Sequence, residues 1–350
     1  MGWYQLPQEK LAFYRKIPKV ELHRHLEGSL RLETLREVAR EHGLTVPKTA
    51  RFRSLVQMQA GDPLTFSNFL SKFQTLRQFY RSPEIISRMA REAVEDAAQD
   101  GVQYLELRFT PVALSRMQGY SLAEVMDWVI ESVAVASQET GLLTRLIASV
   151  NRNESVEQAE EVVELAIQRM ARGIVGIDMA GNEAQFPGLE FRSTLERAQK
   201  AGLHLTIHAG EWGPAENVRL AIEELKAERI GHGVRVMEDS QVVDLARKKG
   251  IVFEVCITSN YQSGVVPELE KHPLPAMIAS GLRVTLNSDD PGISQITLSD
   301  EYRVAMETFK ISRHKMADCI LMGVRASFLS QAEKNDLLHS MISRLDEQFL

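Results

Sequence analysis

Apolar positions along the chain fall into two kinds of run that take turns. Short runs dense in Val, Ile and Leu, bounded by turn residues, read as strands at "KVELHRHL" (19–26), "VQYLELRFT" (102–110), "LLTRLIASV" (142–150), "IVGIDMAG" (174–181), "HLTIHAG" (204–210), "RIGHG" (229–233), "IVFEVCITS" (251–259) and "RVTLNSDD" (283–290). Between them, apolar residues recur at helical spacing. "SPEIISRMAREAVEDAAQDG" (82–101) has a Ser cap, a Pro in its first turn and a closing Gly. "SLAEVMDWVIESVAVASQETG" (121–141) opens on a capping box, Ser121 with Glu124, and ends on Gly141. Residues 214–228 and 237–250 follow the same plan.

Strand–helix alternation implies a parallel sheet with right-handed crossovers. Eight such units imply an α/β protein built as a (β/α)8 TIM barrel. A doubly wound sheet is the competing topology, but its GxGxxG fingerprint is absent. Residues 29–81 exceed what a simple connection needs, and "LETLREVAREHG" and "FSNFLSKFQTLRQFY" predict helices over the C-terminal mouth of the barrel. After residue 291 the chain reads as helices to its end. No linker, low-complexity run or internal repeat breaks the pattern, so a single domain over residues 1–350 is expected.

Bulk properties narrow the partners. The composition, 44% hydrophobic and 25% charged, is that of an ordinary soluble protein, and 41 Lys+Arg against 47 Asp+Glu leave a net charge of −6. With no long basic run, nucleic acid is not an expected partner. Only Cys256 and Cys319 occur, too few for a disulfide framework or a cysteine metal knuckle. The opening segment lacks the apolar core of a signal peptide, and Leu6 spoils a myristoylation match at Gly2. No apolar run reaches about 18 residues, so no membrane span is expected and the cytoplasm is the default compartment. The sequon Asn153-Glu154-Ser155 is a chance match on that reading.

The chemistry lies at strand ends. Catalytic groups of such barrels gather at the C-terminal ends of the strands. Here strand 1 ends in His23, His25 and Glu27, strand 5 in His208 and Glu211, strand 6 in His232, and strand 8 in Asp289 and Asp290. Taken singly, each has an ordinary explanation: His23 and His25 as surface histidines on one strand face, His208 as a core residue, "SDDP" as a turn. Their convergence on one mouth points instead to a site. Three imidazoles and a carboxylate suit one Zn²⁺ with a position left for water, and His23, His25, His208 and Asp289 are the expected ligands. Zinc lowers the pKa of bound water toward about 7. His232 is placed to orient that water or take its proton, Glu211 to act as general acid, and Asp290 to hold substrate. A binuclear centre of this barrel class would usually need a bridging residue such as a modified Lys on strand 4, and "IVGIDMAGNE" has none. The cysteine-ligated zinc deaminase pattern is excluded because the two cysteines are far apart.

These residues resemble the adenosine deaminase family, the metal-dependent purine deaminases of the amidohydrolase superfamily. The likeness runs through "IPKVELHRHLEGS", "GIDMAGNE", "HAGE", "RIGHG", "CITSN" and "LNSDDP" to "ASFL", in order and spacing. It implies one zinc per chain on His23, His25, His208 and Asp289. It implies further that His232 positions the hydrolytic water, Glu211 protonates purine N1, Asp290 hydrogen-bonds N7, and the Gly181 N–H meets N3. The implied reaction adds hydroxide at C6 and releases ammonia, turning adenosine or 2′-deoxyadenosine into inosine or deoxyinosine, a step of purine metabolism. Glu27 stands where many adenosine enzymes carry Asp facing the ribose; "HLEG" also occurs in adenine-specific relatives. The alternative substrate is therefore another 6-aminopurine, either adenine or a 5′-modified adenosine such as aminodeoxyfutalosine. Ile257 and Ser288 replace a common Pro and Thr. A catalytically dead binding protein would have lost a ligand or Glu211, and none is missing.

Overall fold

The structure is a computed structural model that describes residues 8–47 and 49–349. Gly2 and Leu6 lie outside the described residues. Eight strands form one parallel sheet in chain order: β1 (Lys19–His25), β2 (Val102–Phe109), β3 (Leu143–Asn151), β4 (Ile174–Ala180), β5 (His204–Ala209), β6 (Arg229–His232), β7 (Val252–Val255) and β8 (Arg283–Leu286). Each predicted strand is present. The sheet closes beyond β8, where Asp289 bridges Arg24 of β1: Asp289 N–H donates to His23 O (2.9 Å) and His25 N–H to Asp289 O (2.8 Å). Lower down, the Asn287 side chain stands in for a strand residue by accepting from Leu22 N–H (2.9 Å).

The helices follow their signals. Leu122–Thr140 has the reciprocal Ser121–Glu124 box and a left-handed Gly141 at its end. Pro83–Gln99 is capped by Ser82, whose hydroxyl accepts from Ile85 N–H (3.3 Å). Phe66–Leu76 lies over the mouth, as expected, whereas Leu32–Glu41 packs on Pro83–Gln99, Thr34 Oγ1 donating to Glu92 Oε2 (2.7 Å); a further helix, Thr49–Val56, lies between the two in sequence. Four helices follow residue 290, from Pro291–Ser294 to Gln331–Phe349.

Two strand boundaries differ from the pattern. The run 251–259 stops being a strand at Val255, because the buried Glu301 carboxylate accepts the N–H of Ile257 (2.7 Å) and Thr258 (3.1 Å) and starts a helix, Ile257–Gln262. The non-proline residue at 257 supplies one of those donors. The run 283–290 stops at Leu286, and the chain then crosses the mouth with Asp289 left-handed at φ 62°. The helix predicted over 237–250 starts at Ser240 behind an Asp239 cap, with a 3₁₀ turn, Val234–Glu238, before it.

The apolar core fills the space between strands and helices, where Leu105, Leu107 and Phe109 of β2 are fully buried. The barrel interior is ionic instead. Alternation sends Glu106 and Arg108 inward. Arg108 pairs with Glu254 of β7 (2.8 Å) and Asp178 of β4 (3.4 Å), and Arg229 of β6 pairs with Glu106 and with Glu254 (2.6 Å). These groups are all buried, where an unpaired charge costs several kcal/mol. The network therefore fixes each carboxylate beneath the mouth.

Candidate active site

Four imidazoles cluster above this ionic layer. The His23 ring centroid lies 5.2 Å from that of His25 and 4.7 Å from those of His208 and His232. Their Nε2 atoms point at one another and at one carboxylate. His25 Nε2 is 3.3 Å from His208 Nε2, and Asp289 Oδ1 is 3.3 Å from His23 Nε2 and 3.4 Å from His25 Nε2. His23 and His25 are neighbours because i and i+2 share a strand face, and Arg24 points the other way, its Nε donating to Ser29 Oγ (3.1 Å).

The opposite edge is held in three of the rings. His23 Nδ1 is 2.8 Å from Glu254 Oε2, His208 Nδ1 is 2.9 Å from Asp178 Oδ1, and His232 Nδ1 is 3.1 Å from the Asn260 amide. A carboxylate at Nδ1 fixes the tautomer that turns the Nε2 lone pair inward, the arrangement usual behind metal-bound histidines. His23 Nε2 is buried and has no hydrogen-bond partner. The donor set and that unsatisfied atom fit a cation. His23, His25 and His208 form one group able to hold a metal, and His23, His232, Cys256 and Asp289 form an overlapping one. Burial pushes the Cys256 thiol up, with the surrounding carboxylates adding to it, and Sγ lies 3.5 Å from Glu254 O as a donor. A neutral thiol is a poor ligand.

The electrostatics separate the roles. Burial holds His25, His208 and His232 below the usual histidine range. His23 is raised: burial and Arg108 oppose its charge, and the neighbouring Asp289 and Glu254 carboxylates outweigh them. Asp289 stays ionised because the facing imidazoles outweigh burial. Glu211 lies 3.6 Å from His232 Nε2, and burial, then the charges of Asp289 and Glu183, push its carboxyl well up. Asp290 is pushed up in the same way, and its Oδ1 is buried without a partner. A Cβ on Gly28 would fall 1.8 Å from that oxygen, so only glycine fits there.

His232 (φ 58°) and Asp289 (φ 62°) both adopt the left-handed backbone that L-residues avoid, at a cost of about 1–3 kcal/mol each. The closure bonds on either side of Asp289 hold it there.

All eight expected side chains, and Gly181, lie in this one region: His25, Glu27, Gly181, His208, Glu211, His232, Asp289 and Asp290 line a cavity of about 620 Å³, and His23 lies buried just beneath. Phe66, Phe69 and Phe73 of the mouth helix cover it. One detail differs from the sequence reading. Glu27 does not continue the β1 face; it is in the turn after His25, where Oε1 accepts Thr110 N–H (2.5 Å) and Oε2 is buried without a partner. Gly181 is required by conformation (φ 94°), and an added Cβ would meet Asn153 Oδ1 at 2.8 Å. Asp178, Glu254, Arg108 and Asn260 were missed, though lone acids inside "IVGIDMAG" and "IVFEVCITS" were a signal for the first two.

A closed parallel barrel with imidazoles and carboxylates gathered at the C-terminal strand ends defines an amidohydrolase, a class whose deaminases are metal-dependent. Residues 18–344 match the adenosine deaminase family, to which the chain therefore belongs. It is a hydrolytic deaminase. An adenosine deaminase of Edwardsiella ictaluri is 36% identical over 324 residues, covering 92% of this chain and 97% of that one. Among solved structures, an adenine deaminase from Arthrobacter aurescens is 30% identical with a TM-score of 0.85, covering 95% of this chain and 99% of that one. A Burkholderia ambifaria amidohydrolase solved with bound Zn shares the fold at 24% identity and a TM-score of 0.89, covering 99% and 95%. No helix among the described residues is long and apolar enough to cross a membrane.

Proposed function

We propose that the chain deaminates adenosine and 2′-deoxyadenosine to inosine and deoxyinosine with one zinc ion held by His23, His25, His208 and Asp289. The observation that carries this reading is the convergence of three Nε2 atoms and Asp289 Oδ1 around the unpartnered His23 nitrogen. Bound by these four residues, zinc would lower the pKa of a water toward neutrality and so supply hydroxide. His232, neutral and tethered by Asn260, orients the attacking water. Glu211, whose carboxyl burial pushes well up, donates its proton to purine N1 and makes C6 electrophilic. Asp290, with an unpartnered carboxyl oxygen, bonds N7, and the N–H of Gly181 bonds N3. The aromatic mouth helix keeps bulk water out. The partner is thus a small purine nucleoside, and the cytoplasm is the proposed compartment.

A second reading, a different 6-aminopurine, is favoured by Glu27. Its second oxygen is buried and unpaired in the lining of the cavity, and a 30% identical solved relative is an adenine deaminase. A panel of adenosine, 2′-deoxyadenosine, adenine and 5′-modified adenosines, ranked by kcat/KM, decides between them. Adenosine and deoxyadenosine should lead, with adenine lower by at least about tenfold, or about 1.4 kcal/mol of transition-state binding. If adenine or a bulky 5′-modified nucleoside ranks first, the adenosine assignment is wrong while the deamination chemistry stands.

A further inference from the structure

Glu183 follows β4 in the "GNE" turn, is 2% exposed, and does not line the cavity. Its carboxylate nonetheless receives the backbone of the segment that carries Glu211. Oε2 accepts from Gly210 N–H (2.8 Å), and Oε1 accepts from Glu211 N–H (2.6 Å) and Trp212 N–H (2.6 Å). Asn217 Nδ2 donates to Oε2 (3.0 Å) and to the Glu183 carbonyl (3.1 Å), tying the same carboxylate to the helix Ala215–Glu223. Three successive N–H groups can aim at one carboxylate only if the chain curls around it, a concave amide nest closed by an internal anion. The curl decides where Glu211 points. The peptide carbonyls are held from the other side: Gly210 O accepts Arg235 N–H (2.8 Å), and Trp212 O accepts Arg235 Nη1 (2.8 Å). Trp212 then meets Phe66 of the mouth helix, with ring centroids 4.2 Å apart.

We propose that Glu183 is the positioning residue for Glu211: its carboxylate folds residues 210–212 into the one conformation that presents the Glu211 carboxyl to the substrate, and through Trp212 it sets the height of the mouth helix. The inference rests on Glu211 being the proton donor. Glu183 itself touches no reacting atom. A side chain misplaced by about 1 Å can cost about 10²-fold in rate, which sets the size of the effect.

The test compares Glu183→Gln, Glu183→Asp, Glu211→Gln and the double variant Glu183→Gln/Glu211→Gln, in the zinc-loaded full chain with adenosine as substrate. Glu183→Gln keeps the volume but supplies one acceptor oxygen where the loop needs two. It should lower kcat by about 10²-fold, with KM changed by less than about threefold and zinc content unchanged. Glu183→Asp retains the carboxylate at a shorter reach and should recover part of the loss; it also serves if the Gln variant fails to fold. The double variant should be no slower than Glu211→Gln alone, because a positioning residue has nothing left to position. A double variant slower than Glu211→Gln by the full Glu183→Gln factor, or a Glu183→Gln enzyme with normal kcat, overturns the proposal. Glu211→Gln with near-normal turnover would instead overturn the acid assignment beneath it, so the two failures are read from different arms.

Discussion

His23→Ala is expected to lose bound metal and turnover together while remaining folded. His23 is the most enclosed of the imidazoles, its Nδ1 fixed by Glu254 and its Nε2 directed at Asp289. Loss of an outer-shell partner of a ligating histidine typically costs 10- to 100-fold in metal affinity, so loss of the ligand should exceed about 100-fold. The fold should survive, because Glu254 keeps Arg108, Arg229 and Thr206 as partners when the imidazole is removed. Elemental analysis alongside a deaminase assay reads both quantities. A variant that unfolds at lower temperature yet keeps its metal and its rate would mark His23 as a packing residue.

Glu211→Gln should bind zinc and substrate but lose most of kcat. General acid assistance is typically worth about 10²–10⁴ in rate, and a carboxamide has no proton to give at this position. The environment suits the task. Burial first, and then the negative charges of Asp289 and Glu183, raise the Glu211 pKa well above the ordinary carboxyl range, which favours the protonated form. Activity that depends on the protonated form is present below that raised pKa and falls as pH rises through it. In the variant this pH-dependent fall should vanish along with the rate. Steady-state kinetics with adenosine across pH provides the check, and a kcat within a few fold of the parent would remove Glu211 from the mechanism.

Much of this was legible before any coordinates. The number and order of strands follow from apolar runs separated by amphipathic helices, and the barrel rule then places His23, His208, His232 and Asp289 at one mouth. What periodicity could not reach was anything set by tertiary partners. The strand-like run through Cys256 and Ile257 turns helical because Glu301, 44 residues away, captures its amides. Asp289 leaves the extended pattern because closing the barrel requires its carbonyl to receive His25 N–H. Glu27 falls off the β1 face because the chain turns directly after His25. Asp178 and Glu254 interrupt apolar strands, which marks them as unusual; only the folded barrel shows that each is anchored to an imidazole.

Every role proposed at the mouth depends on a single metal centre. The full chain, stripped of metal by a chelator and titrated with Zn²⁺ while adenosine turnover is followed, should gain activity linearly up to one equivalent per chain and then level off, with elemental analysis of the purified enzyme giving the same ratio. A break at two equivalents, or full turnover without metal, would contradict it.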